Sequence, residues 1–171
     1  MKKYVLAISA CLLLTFYSCN NEMKKEGTSD GMSDKARKNL DASHVISDAF
    51  GSGDPSKIDS VVADDFVDHT DRGDVNRDSL KAMIRMVKST NQDMKMEVLK
   101  ELADDDYVFT WMRFTGTSNG AMMPAGPYDM KAAQLVRFRD GKAVEHWEFM
   151  EMRDMMKMMQ QMPPMDTTKK K

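Results

Sequence analysis

The segment DGKAVEHWEF, residues 140–149, sets a histidine, a tryptophan and two glutamates within four positions. Asp140-Gly141 between two strand-like runs predicts a tight hairpin turn, so the segment enters a strand. Strict alternation then puts Val144, His146, Glu148 and Met150 on one face, and Ala143, Glu145, Trp147 and Phe149 on the other. His146 and Glu148 can therefore act together, with Trp147 turned away from them. A carboxylate among apolar groups has its charged form disfavoured and its pKa raised. Such a glutamate can take a proton from carbon next to a carbonyl and later return one. A neighbouring histidine can orient it or hold the developing enolate oxygen. The same two side chains can equally pair on a wet sheet surface, or line a site that binds a ligand and does no chemistry.

Other residues bear on such a site. His69 follows Asp68 in FVDHT, but adjacent strand residues face opposite ways, so His69 is expected to reach the site alone. Arg113 shares a strand face with Tyr107 and Trp111, where it would bind an anion or pair with a neighbouring acid. Trp111, Arg113, Met122 and Tyr128 are the candidates for substrate contact. His44, on the first helix, reads as a surface or edge residue. The three histidines are spread over helix and strands, which disfavours a metal triad.

Three helices are expected to pack against the strands that carry most of these residues. Ser33 caps the first, whose Ala42, Val45, Ile46, Ala49 and Phe50 repeat at three-four spacing until GSGD stops it. Asp54 and Pro55 open a short second helix with Ile58, Val61 and Val62 inside. The third runs from about Asn76 to Ser89, with Leu80, Met83, Ile84 and Val87 on one side. Four strands follow: around Met94–Leu99, Tyr107–Thr117, Lys131–Arg139 and Lys142–Met150. Helices first and hairpins after predict an α+β fold, a curved antiparallel four-stranded sheet with three helices packed on one face as a cone-shaped open barrel.

The runs FVDHT, DDDYVFTWMRFTGTSNG and VRFRDGKAVEHWEF, in this order over residues 33–150, resemble the SnoaL-like polyketide cyclases. These are also called ester cyclase-like, and belong to the nuclear-transport-factor-two-like superfamily. The resemblance implies an apolar cavity between sheet and helices and an intramolecular aldol closure driven by an acidic residue without metal or cofactor. It places that acid at Glu148, where the family usually has aspartate, and puts His69 and His146 at the pocket side. Two stretches depart from the family pattern: Gly116-Thr117-Ser118-Asn119-Gly120 lacks the family's histidine, and Tyr128-Asp129-Met130-Lys131 replaces its usual TGK. An apolar small molecule is the implied ligand, and the fold implies a homodimer through the sheet.

The ends of the chain have their own chemistry. Lys2 and Lys3 precede an apolar run from Tyr4 to Tyr17 that is short for a membrane span, and FYSC resembles a bacterial lipobox. Residues 1–18 are then a lipoprotein signal peptide, Cys19 is lipidated and anchors the protein at the cell envelope, and residues 19–32 form a tether. The second cysteine, Cys11, lies within that signal, leaving no internal disulfide. A formal net charge of −2 gives no nucleic-acid surface. Residues 151–171 are Met-rich, in a chain with 19 methionines. Met152, Met155, Met156 and Met159 form a helical seam that either packs on the domain or, since thioethers favour Cu(I), binds that ion, with Met158, Met162 and Met165 extending the site.

Overall fold

The computed structural model describes residues 31–161. Cys19 and the signal, most of the tether, and Met162 and Met165 of the tail lie outside the described residues. The described part begins with α1, Asp34–Ser52. Ser33 caps it by accepting from the Ala36 N–H at 3.0 Å, and Gly53 ends it at φ 79°, returning its N–H to the Ala49 carbonyl. Buried Asn39 donates from Nδ2 to the carbonyls of Asp104 and Asp105, which ties α1 to a strand turn. The second helix, α2, is a single turn, Ile58–Val61, shorter than expected. The Asp54 carboxylate accepts from the N–H and hydroxyl of Ser56 and so holds the preceding turn rather than a helix start.

Val62 leaves the helix and opens β1, Val62–Thr70, followed by β2, Gly73–Asn76. Asn76 caps α3, Arg77–Thr90, by accepting from the Ser79 N–H. Then come β3 (Asn91–Ala103), β4 (Tyr107–Ser118), β5 (Gly126–Arg139), β6 (Lys142–Met150) and α4 (Met152–Gln161). The sheet has six strands in the order β2-β1-β6-β5-β4-β3, antiparallel except where β1 runs parallel to β6. The architecture is α+β with helices on an open sheet, as expected. The count of four strands is corrected to six, and the all-antiparallel sheet to a mixed one. The two additional strands are the FVDHT stretch and the segment after its polar turn, which form a hairpin with each other.

One face of the sheet carries the core. Ala42 and Ala49 of α1, Ile58 of α2 and Leu80 and Ile84 of α3 pack with Val62, Phe66, Val108, Val136, Phe138 and Ala143. Full burial of a side chain such as Ile84 contributes about 1.5–3 kcal/mol. Ala143 was expected on the opposite face. A bulge between Arg137 and Phe138 resets the alternation of β6, so Ala143 pairs with Phe138 and turns inward. Asp140 and Gly141, at φ 55° and 77°, make the turn between these strands. No described helix is long and apolar enough to cross a membrane.

Candidate active site on the helix-facing side of the sheet

His146 and Glu148 follow the parity of the inner, helix-facing face. His146 lies opposite Val136, a core residue, and Glu148 opposite Gln134. On the parallel neighbour β1, buried Phe66 sets the parity, so Asp68 also points inward and pairs in register with His146. The His146 Nδ1–H donates to Asp68 Oδ1 at 2.7 Å, with Asp68 buried and His146 mostly so. The second ring nitrogen of His146 stays free of this pair, on the face that also carries Glu148.

Burial pushes the Glu148 carboxyl above the usual carboxylate range; the adjacent positive character of His146 opposes the rise, and the negative Asp68 adds to it. By its own surface area Glu148 is nonetheless an exposed residue. Its desolvation is therefore partial, and the residue stays accessible to a ligand.

A row of polar residues crosses the sheet from Glu148. Register places Gln134 opposite it, Thr110 opposite Gln134, and Glu101 opposite Thr110. The Thr110 hydroxyl donates to Glu101 Oε1 at 3.2 Å, and His44 of α1 meets Glu101 Oε2 at 2.9 Å. Sequence reasoning assigned none of Glu101, Thr110 and Gln134 to the site and left His44 at the surface. His44 is indeed half exposed, but it closes the row from the helix side.

The remaining candidates are placed elsewhere. His69 does not join His146 and Glu148. It faces outward, stacked on Trp147 with ring centroids 4.8 Å apart, and its Nδ1 meets Asp74 at 2.9 Å. Trp111 and Arg113 also lie on the outer face. Arg113 makes a two-pronged pair with Asp129 at 2.8 and 2.6 Å, and Lys131 sits over the Trp111 ring at 5.6 Å. An open recess of about 580 Å³ adjoins these two residues and Lys157 of α4, away from Glu148. A second recess, of about 490 Å³, lies by the start of α1. Neither of these two recesses is lined by Glu148. Tyr128 shares the inner face with Glu148, but lies six residues further along β5 than Gln134, about 20 Å away. Its ring folds over Gly116, where a Cβ would come within 2.6 Å of the phenol oxygen. Burial raises the phenol pKa. Met122 sits half exposed in the loop between β4 and β5.

An open mixed sheet roofed on one face by three helices defines a class of α+β fold. Within it, the chain belongs to the SnoaL-like polyketide cyclase family, which residues 41–162 match. Solved structures agree on the fold. TsrD from Streptomyces laurentii superposes with a TM-score of 0.64 at 18% identity, over 74% of this chain and 97% of its own. A protein from Jannaschia sp. CCS1, assigned to the SnoaL-like polyketide cyclases, gives 0.64 at 16% identity, over 80% of this chain and 100% of its own. An LEH-like epoxide hydrolase from M. tuberculosis gives 0.59 at 14%, over 74% and 93%. No curated protein matches the chain by sequence.

Proposed function

We propose that this protein is a small-molecule cyclase or isomerase that uses Glu148 for acid–base chemistry without a cofactor. The observation that carries the reading is the Asp68–His146 pair on the same sheet face as a carboxylate held above its usual range. Ionised Glu148 removes a proton from carbon next to a carbonyl. The C–H electron pair becomes the enolate double bond and the negative charge moves to the carbonyl oxygen. With its Nδ1–H committed to Asp68, neutral His146 offers only an acceptor at Nε2. The imidazolium form donates there while Asp68 accepts from Nδ1. Imidazolium Nε2–H therefore stabilises the enolate oxygen. The enolate carbon then attacks a second carbonyl of the same molecule, and protonated Glu148 returns its proton to the new alkoxide. Half-buried Met150 beside Glu148, with buried Ala132 opposite it, suits a ligand with an apolar body. The same reading holds the domain at the cell envelope through lipidated Cys19.

The test needs no knowledge of the natural substrate. Aliphatic and aromatic β-keto esters are incubated with the protein in D₂O, and deuterium entry next to the carbonyl is followed by NMR. Exchange faster than buffer that disappears in Glu148→Gln supports the reading. Equal exchange by both proteins removes Glu148 as the base. Binding of the esters without exchange by either favours a ligand carrier.

A further inference from the structure

An amphipathic helix ordinarily turns its apolar seam toward the protein. In α4 the reverse holds. Its inward side is built on Asp154, which is buried and accepts from the Lys131 backbone N–H at 3.0 Å where β6 has ended. Arg153 and Lys157 lean toward the same carboxylate, at 3.7 and 3.5 Å. The methionine seam looks outward: Met152, Met156 and Met159 are 67%, 53% and 64% exposed, with Met155 half-buried at its edge. At 3.6 residues per turn these four positions fall within an arc of roughly 100°, and they span about 10 Å along the axis. Neither cation lies among them.

We propose that this seam is a soft-metal site that binds one Cu(I) through three thioether sulfurs. Met152, Met155 and Met156 form one triad at spacings of three and four. Met155, Met156 and Met159 form a second, sharing two members with the first. Thioethers are uncharged, polarisable and select Cu(I) over harder ions. Their unbranched side chains let three sulfurs converge on one ion without moving the helix. No group of three or more His, Cys, Asp or Glu among the described residues could hold a metal, so the seam faces no rival of that kind there. A thioether carries no titrating proton, so binding must persist in mild acid, where imidazole and thiolate sites release their metal.

The test uses the full chain and the variant M152L/M155L/M156L/M159L, in which leucine keeps helix propensity and apolar surface but removes every sulfur of the seam. Cu(I) is titrated anaerobically against a chromophoric Cu(I) chelator. The wild type should take up one equivalent more than the variant, at pH 5 as at pH 7. Both cysteines are shared by the two proteins and cancel in the difference. M155L/M156L, which removes the pair common to both triads, should weaken binding at least 100-fold. The methyl resonances of the seam methionines should shift on addition of Cu(I). Equal uptake by the wild type and the four-leucine variant overturns the proposal, and so does extra uptake that vanishes at pH 5. A seam that only packs against another surface gives the first of these results. The outcome is independent of the chemistry at Glu148.

Discussion

His146 and Asp68 meet at 2.7 Å across the parallel ladder of β6 and β1, the one parallel pairing in the sheet. The parallel register puts the two side chains on the same face, and the buried carboxylate fixes which imidazole nitrogen remains for a ligand. Asp68→Asn keeps the shape but replaces the charged acceptor at His146 Nδ1 with a neutral amide. Deuterium exchange should fall on the order of tenfold or more with the fold intact. Asp68→Ala additionally strips the buried imidazole of its partner and should cost about 1–3 kcal/mol in urea unfolding. An Asn variant that exchanges like the wild type would leave Asp68 with a purely structural role.

Glu148 gives a pH signature. As a base it works ionised, and burial raises its pKa, so the acid limb of the rate profile should lie above the ordinary glutamate value of about 4.3. His146 opposes that rise, so His146→Gln should move the limb to higher pH while lowering the rate. Stability runs the other way. A folded pKa above the unfolded one adds stability that is complete below the unfolded pKa and is lost as pH rises through the folded value. Glu148→Gln should abolish that dependence, which is small because Glu148 is exposed and its charge is screened by solvent. A limb that stays put in His146→Gln would show that the imidazole is not coupled to the base.

His69 lies on the far face, so His69→Phe should keep its stacking on Trp147 and lose only the bond to Asp74. Exchange should be unchanged, and stability should move by about 0.5 kcal/mol, as for an ordinary surface substitution. A large loss of exchange would bring the outer face into the chemistry.

The N-terminal reading has its own check. Cells fed a radiolabelled or clickable fatty acid should label the wild-type chain and not Cys19→Ser, which should also leave the membrane fraction. Labelling that survives the substitution would place the acyl chain elsewhere.

Helices α1 and α3 were legible because their three-four spacing and their caps, Ser33 and Asn76, are local signals. The last two strands were legible through Asp140-Gly141. What failed was non-local or off by one residue. The extended character of Phe66–His69 was legible, but β1 also carries exposed Asp64 and Asp65 and pairs with a strand some eighty residues away, so neither its full length nor its place in the sheet is marked locally. Ala143 was assigned to the wrong face because a bulge adds a residue that composition does not mark. For the site, Glu148 and His146 were found by alternation from one strand. The same alternation starting at Phe66 selects Asp68, not His69, as the inward residue, so that signal was present. Glu101, Thr110 and Gln134 sit on three different strands, and only their register brings them into one row. In α4 the spacing of the methionines was legible, but not their direction, since one buried carboxylate decides how the helix is turned.

Two glycines with left-handed backbones should differ in their tolerance of alanine, and the difference tests the packing of α1. Gly141 is at φ 77° in the hairpin turn, and an added Cβ would run into Lys38 Cε, near the flexible end of a side chain that can swing away. Gly141→Ala should therefore cost little beyond the backbone strain, about 1 kcal/mol. Gly53, at φ 79°, ends α1 against α3, where the new Cβ would stand 2.5 Å from Lys88 Cβ and 2.6 Å from its Cγ. The Lys88 Cβ is fixed to the helix backbone, so relief requires α1 and α3 to separate. Gly53→Ala should cost the same strain plus the disturbed contact between the helices, clearly more than Gly141→Ala in the same urea titration. Equal losses would mean that the end of α1 and the start of the last turn of α3 are not packed as tightly in solution as this approach requires.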